Sequence, residues 1–291
     1  MTNRLHPKKS NPAAIPVIQV SMPLAMIRGD LFSVAEKGER SDRRQVAVEN
    51  GPLGIDVQYS GPHLNQEHFK AWQAVIHLAK QEGGLSGEQF VVSATDVMRA
   101  MGQTYRDHDQ RLRAWRLLED LSQASVYLSS NRSRYRGALV FSVLHEEASG
   151  KMALRLNPDL AQLLSDEVLQ NDMLRVLGLG RNQIAIWLHN YYASHKAPPA
   201  ISVKELQRLC GTRLDLPRFR QRLRTALDRL KYGVRPLLTD WEVDPNDVVR
   251  VRKIPTQVKL LPAHVKEAKS AGKRVMDRSA QASARRAHVA L

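Results

Sequence analysis

Residues 202–232 read SVKELQRLCGTRLDLPRFRQRLRTALDRLKY and predict two helices joined by a tight turn. Ser202 can cap the first helix, because its hydroxyl accepts a backbone N–H, and Gly211 suits the turn that ends it. The second helix starts after Asp215, another good cap, and holds Pro217 in its first turn, where the missing N–H costs nothing. This segment therefore predicts a helix-turn-helix.

The second helix of this pair is amphipathic. Its apolar residues recur at helical spacing and form one stripe, made of Phe219, Leu223, Ala226, Leu227 and Leu230. The other faces carry many arginines and few acidic residues, and guanidinium groups are well suited to bind phosphates and guanine edges. A solvated charged face is the plainer interpretation, but a helix of this kind is also suited to a DNA major groove.

The same pattern occurs a second time, at residues 93–102, SATDVMRAMG. Each copy has a serine cap, an acid three residues later that can complete a capping box, and a closing glycine. Each copy follows a longer helix and a short strand, and precedes a helix containing Gln-Arg-Leu-Arg and then a β-hairpin. This is the layout of a winged helix-turn-helix, so we predict an α+β fold with two such domains in tandem.

The predicted domain boundaries follow the repeat. They are a flexible N-terminal arm at 1–44, a first winged-helix domain with an N-terminal hairpin at 45–165, a second, DNA-reading winged-helix domain at 166–255, and a basic disordered tail at 256–291. Inside the domains we expect one strand over residues 137–144 and a helical connection over residues 166–175.

The two helices that follow the repeated motif differ in their surfaces. The first, at residues 107–123, spreads apolar residues over much of its circumference and dilutes its arginines with acids. The second is narrowly amphipathic and more basic. We therefore assign base reading to the second domain, and positioning or self-association to the first.

The candidate DNA-binding residues are basic side chains together with one amide and one hydroxyl. They are Arg106, Arg113, Arg213, Arg218, Arg220, Gln221, Arg222, Arg224, Thr225, Arg250, Arg252 and Lys253. Those placed near the helix N-terminus to reach base edges are Arg218, Gln221, Arg222 and Thr225. Arg250 and Arg252 alternate with valines and so share one face of a hairpin, as a wing that touches phosphates requires. Lys253 and the tail add salt-sensitive affinity.

Composition narrows the partners. A formal net charge of +15 over 291 residues favours a polyanion, either nucleic acid or an anionic membrane surface. No apolar run approaches the roughly 20 residues that span a bilayer, no signal peptide opens the chain, and the tail lacks aromatic residues to insert into a membrane. The single cysteine, Cys210, suits a reducing cytoplasm. We expect a cytoplasmic protein without membrane contact.

Catalysis is not expected. The chain has no phosphate-binding Gly-x-x-x-x-Gly-Lys loop, and its ten histidines and one cysteine form no metal-ligand pattern, so we predict no enzyme activity, no cofactor and no metal. Tyr191 and Tyr192 would suit the tyrosine pair of a nicking initiator, but their helix also carries Trp187 and Leu188, which favours a place in the core.

The chain resembles the bacterial plasmid replication initiators of the tandem winged-helix type, including the TrfA proteins of broad-host-range plasmids and the RepC initiators of IncQ plasmids. The likeness covers roughly residues 23–243. It rests on short tags in a shared order: Leu31-Phe32, Gly38-Glu39-Arg40, Ser60-Gly61-Pro62, Leu156-Asn157-Pro158 and Leu209-Cys210-Gly211, with the arginine-rich helix after the last.

This resemblance implies binding to direct repeats (iterons) at a plasmid origin, opening of an AT-rich segment, recruitment of the replicative helicase with or without a host initiator, and a monomer–dimer balance that limits copy number. A transcriptional repressor that binds an inverted repeat as a dimer is the rival, because winged helices serve both roles. The stretch from Gln19 to Leu24, QVSMPL, resembles peptides that dock on bacterial sliding clamps; a strand or linker packed on the first domain is the alternative.

Overall fold

The computed structural model describes residues 18–35, 43–47, 56–103, 108–129, 134–146, 150–159 and 168–254. Its helices are α1 Leu24–Ile27, α2 Gln66–Glu82, α3 Ala94–Ala100, α4 His108–Gln123, α5 Met173–Gly178, α6 Gln183–Ala193, α7 Val203–Leu209 and α8 Leu216–Tyr232. Its strands are β1 Gln19–Pro23, β2 Arg43–Ala47, β3 Asp56–Gly61, β4 Gln89–Ser93, β5 Ser125–Ser129, β6 Arg134–Ala138, β7 Val140–Glu146, β8 Lys151–Leu156, β9 Val168–Asp172, β10 Ile201–Ser202, β11 Leu238–Val243 and β12 Val248–Lys253. The predicted α+β class is confirmed.

The predicted repeat is visible in the helix caps. The Ser93 hydroxyl accepts the Asp96 N–H at 3.1 Å, and the Asp96 carboxylate accepts the Ser93 N–H at 3.0 Å, which completes a capping box. Ser202 accepts the Glu205 N–H in the same way at 3.1 Å. Satisfying these otherwise unpaired N–H groups fixes where α3 and α7 begin.

The repeat extends to the sheets. Residues 66–156, the first unit, contain a three-stranded antiparallel sheet in the order β4-β8-β7. Residues 183–253, the second unit, contain one in the order β10-β12-β11. In both units, the strand before the repeated motif (β4 or β10) pairs with the last strand of the unit (β8 or β12). That last strand also pairs with the strand before it in sequence (β7 or β11).

The first unit carries an insertion that the second lacks. After α4 the chain enters β5 and β6, which join β2 and β3 in a four-stranded sheet, β2-β3-β5-β6. The single strand expected over residues 137–144 is wrong, because β6 pairs with β5 and β7 pairs with β8 in a different sheet. The two strands are separated by Leu139. Its side chain is buried, and its N–H donates to the Ala124 carbonyl, so the chain changes direction there.

The helical connection expected over residues 166–175 is also corrected. Residues 168–172 form β9, which pairs antiparallel with β1 from Gln19–Asp172 to Pro23–Val168, and α5 follows. The two strands are separated by about half the length of the chain, so the local sequence pattern of one strand cannot indicate the other as its partner. β1 contains most of the stretch predicted to dock on a clamp, and Val20, Met22 and Leu24 are buried, so docking of this stretch requires β1 to leave its place.

Residues 18–35 fall within the predicted flexible arm, yet they pack against both units. Phe32 stacks on Trp72 of the first unit, with ring centroids 5.7 Å apart. The Gly29 carbonyl accepts the Trp187 indole N–H at 2.9 Å, and the Val34 N–H donates to the Cys210 carbonyl at 2.8 Å. These contacts hold residues 18–35 against both units. This strap, residues 18–35, reaches the turn between α7 and α8.

One continuous apolar core runs through both units among the described residues. Tyr191 and Tyr192 belong to it: Tyr191 stacks on Trp187 at 5.1 Å, and burial raises the pKa of both phenols. Their expected place in the core is confirmed. A phenol that is buried and hard to ionise is poorly suited to act as a nucleophile.

Candidate nucleic-acid interface

Helix α8 is held by its ends and by one face. The Asp215 carboxylate accepts the Arg218 N–H at 2.9 Å, and Pro217 lies in the first turn, as the sequence predicts. The five residues of the predicted apolar stripe are all buried. The helix packs against α6, α7 and β11, and its opposite face points to solvent.

The solvent face near the N-terminus carries the predicted base-reading residues. The side chains of Arg218, Gln221, Arg222, Arg224 and Thr225 are all exposed there. The Arg218 side chain is 75% exposed and makes an ion pair with Asp215, Nε to Oδ2 at 3.3 Å, within its own first turn. Arg213, in the turn before the helix, is exposed as well. The structure thus brings these predicted residues onto one basic surface of the second unit.

Arg220, another predicted DNA-binding residue, makes an ion pair within the fold. Its guanidinium forms a bidentate ion pair with Asp247 in the β11–β12 turn, with Nε to Oδ1 at 2.9 Å and a second short bond from Nη2 to Oδ2. The hydrogen bond from Arg220 lowers the pKa of the Asp247 carboxyl, which sits at a left-handed φ of 57°. Arg220 therefore ties α8 to the hairpin and is less exposed than Arg218, Gln221 and Arg222.

The β11–β12 hairpin confirms the alternation of its arginines but surrounds them with acids. Arg250 lies opposite Glu242 and Arg252 opposite Asp240, so all four share one face. The Arg250 guanidinium also contacts Asp244, Nη1 to Oδ2 at 2.6 Å. Since opposite charges directly across a pair of strands attract, this face is locally balanced, and phosphate contacts there compete with the acids.

Lys253 points inward. Its ammonium donates to the carbonyls of His195 and Ala193, at 2.6 and 3.5 Å, at the C-terminal end of α6. Burial lowers its pKa. Because the carbonyls at a helix end attract cations, Lys253 joins the hairpin to α6, and the expected phosphate contact from it does not fit this position. The tail, residues 256–291, lies outside the described residues.

The first unit offers fewer of the predicted contacts. Arg113 pairs with Glu67 of α2 at 2.5 Å, and Arg106 lies outside the described residues. The apolar residues of α4 are buried at Ala114, Leu117, Leu118 and Leu121, and Trp115 packs against the His145 ring at 5.1 Å. Most of the other described α4 side chains are half-buried, whereas most of those on α8 are exposed, so α4 is more engaged in packing, as the comparison of the two sequences predicts.

Sequence reasoning missed an exposed apolar row on the first unit. Val91 and Leu144 flank Ala153 across β4, β8 and β7, and they are 51% and 68% exposed. Phe141, 56% exposed, lies beside this row with Arg155 over its ring. The corresponding face of the second unit carries the charged pairs of Arg250 and Arg252. The signal in the sequence was apolar residues in β7 that do not follow strict alternation.

Within the described ranges, none of the helices is long and apolar enough to cross a membrane. In the same ranges, no group of three or more histidine, cysteine, aspartate or glutamate side chains is arranged to hold a metal ion.

No protein-family model and no curated protein matches this chain. Among solved structures, domains 2 and 3 of RctB match with a TM-score of 0.54 at 13% identity, over 80% of this chain and 99% of that one. A second structure, RctB residues 155–483, matches with the same TM-score over 76% of this chain and 95% of that one. A structure of the Pi initiator protein in complex with iteron DNA matches with a TM-score of 0.45 at 16% identity, over 65% and 95% of the two chains. The chain therefore shares the fold of RctB domains 2 and 3.

Proposed function

We propose that this chain is a sequence-specific double-stranded DNA-binding protein that initiates plasmid replication, and that its two units are winged helix-turn-helix domains in tandem. The observation that carries the proposal is the exposed N-terminal half of α8. It presents arginine, glutamine and threonine side chains outward from a helix that is fixed by five buried residues. The repeated sheet order and the shared fold with two domains of RctB support the division into two domains.

The second domain reads the bases in this proposal. A recognition helix places its N-terminal residues in the major groove, where Arg218 and Arg222 can each meet a guanine edge or a phosphate and Gln221 an adenine. The Arg220–Asp247 pair sets the angle between that helix and the hairpin. Arg213, Arg224, Arg250 and Arg252 then serve as phosphate contacts around the reading residues.

The first domain supplies positioning and self-association. The exposed row of Val91, Ala153 and Leu144 supports a contact with a second copy of the chain, because a two-fold interface needs one self-complementary patch. Strand β7 is also an edge strand of its sheet in the part of the chain that the structure describes. In sedimentation velocity, the Leu144→Gln variant should form dimers only at a higher protein concentration than the unmodified protein. An unchanged concentration would show that this surface takes no part in self-association.

The initiator role goes beyond DNA binding and rests on the resemblance to plasmid initiators. It includes binding to direct repeats, opening of an adjacent AT-rich segment and loading of the replicative helicase in the bacterial cytoplasm. A host initiator and the sliding clamp are further candidate partners.

Footprinting on the DNA that flanks the gene for this chain tests the role. An initiator protects a ladder of direct repeats and makes nearby thymines reactive to permanganate. A repressor protects a single inverted repeat and leaves the thymines unreactive. The second pattern would replace the proposed function with that of a transcriptional repressor.

A further inference from the structure

The inserted four-stranded sheet has one packed face and one open face. Its packed face is apolar and buried, with Val57, Tyr59, Val126, Leu128 and Tyr135. The opposite face alternates with these residues along each strand. Nothing in the second unit corresponds to this sheet, and the helix-turn-helix of the first unit does not need it, so its open face is not explained by the repeat.

An aromatic ring stands at the centre of the open face. Tyr127 on β5 lies directly between Gln58 on β3 and Arg136 on β6. Its neighbours along β5 on the same face are Ser125 and Ser129, whose side chains are small. The Tyr127 side chain is half-buried between Gln58 and Arg136, and the small serines on either side of it along β5 leave part of the ring open for stacking.

Positive charge lines one side of this ring. Arg134 and Arg136 are both exposed and lie two residues apart on β6, which places them about 7 Å from each other along the strand. Neither has an ion-pair partner among the residues that the structure describes. Asp56, in the row of Arg134, lies two strands away, or about 10 Å, with Ser129 between them.

We propose that this open face binds single-stranded DNA. A base stacks on Tyr127, Arg134 and Arg136 hold the neighbouring phosphates, and the Gln58 amide reaches the edge of the stacked base. The ring favours a single strand because the bases of a duplex stack on each other and present only their edges, whereas unpaired bases offer their faces to an aromatic side chain. This site is separate from α8, so it does not depend on which duplex the second unit reads.

The test compares variants of the full-length protein by fluorescence anisotropy. The probes are an oligothymidylate of about 20 nucleotides and a mixed-sequence duplex of about the same length, titrated over a range of salt concentrations. Tyr127→Leu should weaken binding to the single strand about five- to a hundredfold, since stacking on one aromatic ring is lost. Tyr127→Phe should bind as the unmodified protein does.

The arginines are tested by salt dependence. Arg134→Gln and Arg136→Gln should each lower the slope of log affinity against log salt by about 0.7 for the single strand. Arg99→Gln, an exposed arginine on α3, is the matched control and should leave the slope unchanged. Duplex affinity should stay the same in all of these variants.

Several results would overturn the proposal. Equal single-strand affinity of the Tyr127→Leu and Tyr127→Phe variants would mean that no base stacks there. Parallel loss of duplex affinity would make the face a general phosphate contact. Unchanged salt slopes in the β6 variants would leave Arg134 and Arg136 as charges that protect an edge strand from pairing. If Tyr127→Leu does not fold, the two exposed arginines decide the question.

Discussion

Alanine substitutions at Arg218 and Arg220, two nearby residues of α8, should separate the proposed DNA reading from the positioning of the hairpin. Arg218 is 75% exposed, and its pair with Asp215 is an exposed i,i+3 contact that contributes about 0.5 kcal/mol or less to stability. Arg218→Ala should therefore fold normally. If Arg218 forms a bidentate contact to guanine, its loss costs about 1–3 kcal/mol of binding, which is about a 5- to 150-fold weaker affinity for the specific duplex.

Arg220 should act through Asp247. Arg220→Ala frees the hairpin turn, and Asp247→Asn does the same from the other side while keeping a residue type that tolerates its positive φ. The two substitutions should therefore weaken DNA binding by similar factors, and the double variant should bind no worse than either single one. Arg218→Ala combined with Asp247→Asn should be additive, because these residues share no contact in the structure.

The assay is anisotropy on a duplex that contains one protected site, with urea unfolding of each variant as the folding control. The reasoning is refuted if Arg218→Ala binds like the unmodified protein. It is also refuted if Arg220→Ala and Asp247→Asn are additive, because their effects would then not pass through the ion pair that joins them.

Three further predictions concern other parts of the molecule. Removing the tail, residues 256–291, which carries many lysines and arginines, should lower affinity for all duplexes and reduce the slope of log affinity against log salt by about 0.9 per lost phosphate contact. An effect confined to the specific site in a filter-binding titration would contradict this. Burial lowers the pKa of His189 to about 4, so the folded protein keeps this side chain neutral, and the free energy of unfolding should fall as the pH drops from about 6.5 toward 4. His189→Gln should make the urea midpoint less dependent on pH over this range. A midpoint curve parallel to that of the unmodified protein would exclude His189 as the source of the fall. Gly211→Ala adds a methyl group 2.7 Å from the Asp30 Cβ, so it should destabilise more than Gly180→Ala, which has the same φ of 64° but open space; equal melting temperatures would show that the strap yields freely.

The helices and their repeat could be predicted from sequence because their signals are local. A serine cap, an acid three residues later and a closing glycine mark α3 and α7, and the spacing of Phe219 and Leu223 marks the buried face of α8. These features act within a few residues of one another, so they can be identified without knowledge of the tertiary fold.

The strand pairings could not be predicted because their partners are distant in sequence. Residues 168–172 form β9 by pairing with β1, which lies about 150 residues earlier in the chain. Residues 137–144 belong to two strands because β6 and β7 pair in different sheets. The contacts of the strap have the same character, because they are made with residues far along the chain such as Trp187 and Cys210.

The candidate site shows the same division. The exposed arginines of α8 follow from helical periodicity alone. Arg220 and Lys253 share that basic character, but their partners are Asp247 in one case and the carbonyl end of α6 in the other. A count of basic residues cannot distinguish an arginine that is available to DNA from one that is committed to a contact within the fold.

The claim that α8 reads base edges through its N-terminal half is tested most directly by selecting binding sites from a randomised duplex library, with the unmodified protein and with Arg218→Ala. Loss of the Arg218 guanidinium should relax the preference at one base pair, normally a guanine, and leave the rest of the selected sequence intact. An unchanged preference at every position would contradict the claim and move the reading surface elsewhere.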